Sequence, residues 1–341
     1  AICTAFQGDS AAGMAQLDRM TGENAWPRID MLLAQKYAGA AGKARRAVKI
    51  EWDGVKELTP WRYALTVATG LEPPAALMAK APVRYSYAAA IGPMVPLADR
   101  AAGAERAAAA GILSSAAMVD LFSQIYEQDD ISGTYADLAD ELRSAYVAET
   151  PQQRMTAISG LWDGGKTPDT RYSRMILTAY AAARMPVDPA FAKQAPDLIA
   201  AMLAAGLDGN ALRWAPQADV GTLAWGQLAL AQPARSTPVD GGALSSFYGN
   251  DPSDAYRKSR FLLAGLAGLG RIDQAAIQDF SGKLEIDLGR QTKWTRLIDQ
   301  AADANNQTLV ALLAGLGMQG DGWDKMTSVY LYHIVSALNR V

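Results

Sequence analysis

Five times in this chain a side chain able to cap a helix stands directly before a proline: Thr59-Pro60, Thr150-Pro151, Thr167-Pro168, Asp188-Pro189 and Asp251-Pro252. At a helix start the capping oxygen accepts from an N–H that has no partner within the helix. Proline presets φ at a position whose own N–H would go unused. Each pair opens a segment with apolar residues three and four apart, such as Leu177, Tyr180 and Ala181 after Thr167, or Phe261, Leu262, Leu266 and Leu269 after Asp251. A chain punctuated in this way folds as a series of amphipathic helices. Asn24, Ser115, Ser132, Asp208, Asp219, Ser281 and Asp324 offer further starts, and Gly70, Gly92, Gly111, Gly206 and Gly270 offer stops.

Composition supports the same reading. Alanine fills 66 of the 341 positions while phenylalanine fills 6, a balance suited to helices that pack closely on small side chains. The best alternating run, Val48 to Val55, is broken by charge and lies between helical patterns, so no sheet is built on it. The expected fold class is all-α. Helices of about 10 to 17 residues with loops of about two to eight give about sixteen helices, with tightly joined neighbours antiparallel.

Internal similarity is present but loose. Ser173-Arg174-Met175-Ile176-Leu177 resembles Ser259-Arg260-Phe261-Leu262-Leu263, and Leu262-Leu263-Ala264-Gly265-Leu266 recurs as Leu312-Leu313-Ala314-Gly315-Leu316. No fixed period holds throughout, which favours an irregular α-solenoid or superhelix of helical hairpins over a regular tandem array. Residues 1–341 are expected to form a single helical-repeat domain. The turn-rich stretch 232–242 is expected to bulge from it as a long loop or to mark a sub-domain break. The first residues, Ala1 to Phe6, have the character of helix interior, and Met326 to Val341 is still strongly helical; the expectation is a piece of a longer polypeptide.

Several function classes are disfavoured at this level. The single cysteine, Cys3, allows neither an intrachain disulfide nor a thiolate zinc cage, and the single histidine, His333, allows no multi-histidine metal site. No metal or cofactor is expected. A formal net charge of −3 gives no electrostatic drive toward nucleic acid, and the most basic patch, Lys43 to Lys49, fits a solvated helix face. No apolar run is long enough for a transmembrane segment. Nucleophile-elbow and phosphate-cradle motifs do not occur. His333 sits in a helix apolar nearly all round and is expected to pack rather than catalyse.

Two features could serve function. Several tryptophans adjoin an acid or glycine, as in Trp52-Asp53-Gly54, Trp162-Asp163-Gly164 and Asp321-Gly322-Trp323-Asp324, and Tyr85 and Tyr87 follow Arg84. Aromatics beside tight turns could line one rim of a superhelix, so Trp52, Trp162, Trp323, Tyr85 and Tyr87 are the candidate binding residues. Carboxylates gather at Glu127, Asp129, Asp130, Asp137, Asp140 and Glu141, where general acid and base work on a sugar would need two of them some 5 to 10 Å apart.

The leading expectation is a scaffold that binds a protein or peptide partner on a concave face and performs no chemistry. The alternative is a cell-envelope glycan-binding or glycan-cleaving helical toroid with aromatic platforms and paired carboxylates. Low cysteine use suits either the cytoplasm or the bacterial periplasm, and the glycan alternative together with the helix-interior character of the first residues points to the envelope.

Overall fold

The computed structural model describes residues 1–41, 49–233, 238–319 and 325–341. Among these residues the fold is all-α: 21 α-helices and three short 3₁₀ segments, with one isolated parallel bridge between Val239 and Ile272. Residues 49–55 carry no strand. No helix is long and apolar enough to cross a membrane.

The helices outnumber the sixteen expected because capping chemistry also acts inside apparent long helices. The segment from Pro168 to Ala183 divides into Pro168–Leu177 and Ala179–Ala183 at Thr178. There the Thr178 hydroxyl donates back to the Arg174 carbonyl at 2.8 Å, a bond that bends helices. It also accepts the Trp162 indole N–H at 2.8 Å, so a buried ring holds the break in place.

Thr59, Thr150 and Thr167 cap helices that start at the following proline, and Asp188 caps a 3₁₀ turn leading into Ala195–Ala204. Asp251-Pro252 behaves differently. Ser253 and Ser259 each donate a backbone N–H and a hydroxyl to the Asp251 carboxylate at 2.6–2.9 Å. Helix Arg257–Gly268 begins only after Ala255 and Tyr256 pass through left-handed backbone at φ 50° and 54°. Asp251 thus caps this helix from outside, reaching its third residue over an inserted turn. Gly70, Gly111, Gly206 and Gly270 end helices with positive φ as expected, whereas Gly92 is extended.

The chain divides into two compact units, Ala1–Asp140 and Glu141–Val341, and the boundary falls inside helix Thr134–Val147. In the first unit Leu17, Ile29, Met31, Leu33 and Leu65 form one apolar cluster, and Leu58, Tyr63 and Tyr85 form a smaller one. Arg62 and Asp30 meet as a partly buried bidentate pair at 2.8 and 3.0 Å. Its hydrogen bond to Asp30 raises the Arg62 pKa against the opposing effect of burial. Ala101, Ala104, Ala107 and Ala108 are wholly buried on the alanine-rich helix Leu97–Ala109, which packs closely on Arg84–Ile91.

In the second unit the stretch 232–242 is described only in part. Residues 234–237 are outside the described residues, but Val239 is buried and Asp240 already caps helix Gly241–Gly249. Helix Arg257–Gly268 packs on Leu223–Ala231 and on the distant helix Ser328–Arg340. The last helices, Lys293–Asp303, Gln307–Met318 and Ser328–Arg340, share a cluster of Ile298, Val310, Leu313, Met326 and Ile334.

Candidate functional site

Of the five aromatic candidates, Trp52, Tyr85 and Tyr87 belong to the first unit and Trp162 to the second. The Trp162 side chain is interior, 2% exposed, with its N–H given to Thr178. Tyr85, 5% exposed, stacks on Tyr63 at 4.8 Å between ring centroids, and the Tyr63 hydroxyl donates to the Tyr85 carbonyl. Both rings serve packing and offer no open face for stacking. Trp52 is half-buried against the same small cluster as Tyr85, and Tyr87 is half-buried. Trp323 and the basic run 43–48 lie outside the described residues. Trp162 buries its ring in the last turn of helix Pro151–Gly164.

Among the carboxylates, Glu141 belongs to the second unit while Asp137 and Asp140 belong to the first. Burial pushes the Glu141 carboxyl above its ordinary range, partly opposed by the Arg174 charge. It lies directly on the bare backbone at Gly160, where any Cβ would run into Oε1.

The structure places a different site at the end of the second unit. A cavity of about 300 Å³ opens there, lined by Trp294, Leu313, Leu316, Lys325, Tyr330 and Ile334, with Gly317 and Met326 completing it. Local chemistry positions each wall. Thr292 and Thr295 form a reciprocal capping box that starts helix Lys293–Asp303 and sets Trp294 in its first turn. The indole lies against Gly317, where a Cβ would fall 2.6 Å from the ring, so only glycine admits it. Thr327 caps the helix carrying Tyr330 and Ile334, and Tyr330 meets Trp294 edge to face at 5.5 Å.

The two helices that carry Trp294 and Tyr330 are also pinned together by charge. The Arg340 guanidinium donates to Asp299 at 2.8 Å and to Asp303 at 2.6 Å, and His333 Nδ1 lies 2.8 Å from Asp299.

Beside the cavity, helix Gln307–Met318 contains no charged residue yet leaves Leu309, Leu312 and Leu316 exposed along one face. A helix apolar on every side is ordinarily covered. Its recurring pentapeptide shows the contrast directly. Leu262, Leu263 and Leu266 are fully buried, whereas Leu312 and Leu316 of the second copy are 59% and 64% exposed.

The arrangement offers an apolar socket with two ring walls, one lysine and an adjoining leucine face. It is suited to holding an apolar group. Among the described residues no group of three or more His, Cys, Asp or Glu side chains is placed to hold a metal ion. The Asp-Gly context that drew attention to other tryptophans is missing at Trp294. The Thr292-Lys293-Trp294-Thr295 box and the 309/312/316 spacing are the signals that mark this site in the sequence. No protein-family model, curated protein or solved structure matches the chain.

Proposed function

We propose that the protein is a helical binding scaffold that engages a polypeptide partner at the end of its second unit, through the Trp294–Tyr330 cavity and the adjoining face of Leu309, Leu312 and Leu316. The observation that carries this reading is the exposure of Leu312 and Leu316 on a helix with no charge on any side. A contiguous apolar surface beside an aromatic-walled socket is the arrangement of an interaction site, where a few buried anchors supply most of the binding energy. An irregular solenoid, the architecture expected from the loose repeats, would present such a site at the end of a stack, where a covering layer is missing.

Selection from a displayed random-peptide library tests the proposal. Peptides enriched on wild type are expected to lose binding to a Leu312→Glu, Leu316→Glu double variant that melts at the wild-type temperature, since both side chains face water. Peptides that bind both proteins equally, or a library that yields no binders, would overturn it. Glycan turnover by wild type that is lost in Glu141→Gln would favour the envelope-glycan alternative, because Glu141 is a carboxyl that burial holds toward its protonated form.

A further inference from the structure

Helix Arg257–Gly268 begins through a turn that local physics disfavours. Ala255 and Tyr256 are both left-handed, at φ 50° and 54°, and residues with a Cβ visit that region as single positions rather than in succession. Strained backbone persists only where its surroundings over-determine it, and it gathers where a side chain has to be held in one place. Asp251 supplies the restraint. Its carboxylate accepts two hydrogen bonds from Ser253 before the strained pair and two from Ser259 after it, so both ends of the turn are anchored on one residue.

What the turn presents is the Tyr256 ring. Three rings run from the core outward: Phe280, 1% exposed, meets Tyr248 edge to face at 6.4 Å, and Tyr256 lies on Tyr248 at 4.4 Å between centroids. Tyr248 takes one face of Tyr256, yet the residue is 44% exposed, so the other face is accessible to solvent. A hydrogen bond to Tyr256 raises the Tyr248 phenol above its ordinary pKa, and the Lys283 charge opposes the rise, which sets that ammonium near the same ring edge. Lys283 lies over the Phe280 ring at 4.5 Å and pairs with Asp279 at 2.7 Å, with both side chains exposed.

The polar group beside the rings is therefore an ion pair without net charge. That selects among ligands. A charged ligand is attracted by one member of the pair and repelled by the other, and a proline ring has no hydroxyl to give to Asp279. A sugar fits both parts. Its hydroxyls donate to a carboxylate and accept from an ammonium side by side. The axial C–H groups of a pyranose with equatorial hydroxyls form a flat apolar face of partial positive charge, matched to the negative face of an aromatic ring.

We infer that this turn is a sugar subsite, in which Tyr256 stacks on one pyranose ring of a β-linked glucose-type oligosaccharide while Asp279 and Lys283 hydrogen-bond its hydroxyls. The subsite binds and makes no chemical change. It shares no residue with the Trp294–Tyr330 cavity and does not depend on polypeptide binding there.

The full chain is titrated with cellotetraose, with chitotetraose and with sorbitol, an acyclic polyol that carries hydroxyls but no ring face, and binding is read by ligand-observed NMR. Wild type is expected to bind at least one tetrasaccharide with a Kd of about 1 mM and sorbitol at least about tenfold more weakly, with saturation transfer strongest at the ring C–H protons. Tyr256→Gly removes the platform and relieves the left-handed strain, so it is expected to fold and to lose at least about tenfold in affinity. Tyr256→Asn, a residue type that tolerates left-handed backbone, takes its place if the glycine variant melts below wild type. Tyr256→Phe keeps the stacking face and is expected to restore binding to within about threefold of wild type.

No binding of either tetrasaccharide at about 10 mM would overturn the inference. So would equal binding by wild type and a variant lacking the ring, or sorbitol binding as tight as tetrasaccharide binding. A polyproline peptide that binds more tightly than the sugars and needs the Tyr256 ring would overturn it as well, and would give the platform to a polypeptide. None of these results bears on the Leu312 and Leu316 face, which the peptide library tests separately.

Discussion

His333 Nδ1 lies 2.8 Å from a carboxylate oxygen of Asp299, and the opposite ring nitrogen lies 3.2 Å from the Arg290 carbonyl. The sole histidine of the chain therefore joins three segments: helix Ser328–Arg340, helix Lys293–Asp303 and the loop before the latter. These are the elements that carry Tyr330 and Trp294, so the histidine holds the walls of the cavity in register without lining it. The sequence expectation of a packing histidine agrees with this placement.

His333→Leu keeps a comparable apolar volume but removes both polar contacts, leaving the Arg290 carbonyl without its ring partner and Asp299 with only Arg340. Loss of partners for buried polar groups costs about 1–3 kcal/mol. Urea denaturation should show a drop of that size with an unchanged slope. A variant as stable as wild type would show that the ring contributes only volume.

The Trp162–Thr178 bond gives a second test. Thr178→Val is nearly isosteric, yet it leaves a buried indole N–H without its acceptor and removes the back-bond to Arg174 that accompanies the helix break. The expected loss is about 1–3 kcal/mol, and Trp162→Ala should cost more, about 3–5 kcal/mol, through the cavity it leaves. Tryptophan fluorescence should report both in the same denaturation series. Trp162→Ala with unchanged stability and altered partner binding would restore it as a surface contact.

These two residues also mark how far local signals reach. Helix existence was legible because a cap followed by proline is a local rule, and Thr59, Thr150 and Thr167 obey it with no help from tertiary structure. Thr178 was illegible as a break because its effect depends on a hydroxyl bonded within the helix and to an indole sixteen residues away. Asp251 was legible as a cap but not as one acting across a turn, since that required both Ser253 and Ser259 to reach it. The candidate site was the least legible part. Leu-Leu-Ala-Gly-Leu is one string in two environments, and only packing distinguishes the copy covered by Leu230 from the copy left open.

Asp251 also makes stability depend on pH. Burial alone would raise its carboxyl pKa, but the hydrogen bonds from Ser253 and Ser259 outweigh burial and hold it below the ordinary 3.8. The unfolded chain binds the proton near 3.8 and the folded chain only at lower pH, so unfolding takes up a proton between the two values. The contribution is thus complete above the ordinary value and disappears as pH falls through the folded one. Asp251→Asn should be less stable than wild type at neutral pH, with the difference in Tm narrowing below about pH 4. A difference that is constant or widens in acid would contradict this assignment.

Gly315 and Gly268 allow one substitution to be predicted in opposite directions within the same unit. Both occupy helical backbone, so alanine at either position gains about 0.5–1 kcal/mol from reduced backbone freedom in the unfolded chain and from helix propensity. At Gly315 no described atom beyond its chain neighbours and its own helix backbone lies within 4 Å of the added methyl, and the gain should appear in full as a higher melting temperature. At Gly268 the methyl would fall 3.0 Å from Val335 Cβ and 3.1 Å from the Ser336 backbone nitrogen, on the helix that packs most closely against it. A β-branched carbon and a main-chain atom cannot turn aside as the end of a long side chain can. The two helices must separate, at a cost of about 1–3 kcal/mol that exceeds the propensity gain. Gly268→Ala should therefore melt below wild type and Gly315→Ala above it, as measured by thermal circular dichroism; a stabilised Gly268→Ala would mean that helix Ser328–Arg340 is free to shift, and with it the Tyr330 wall of the cavity.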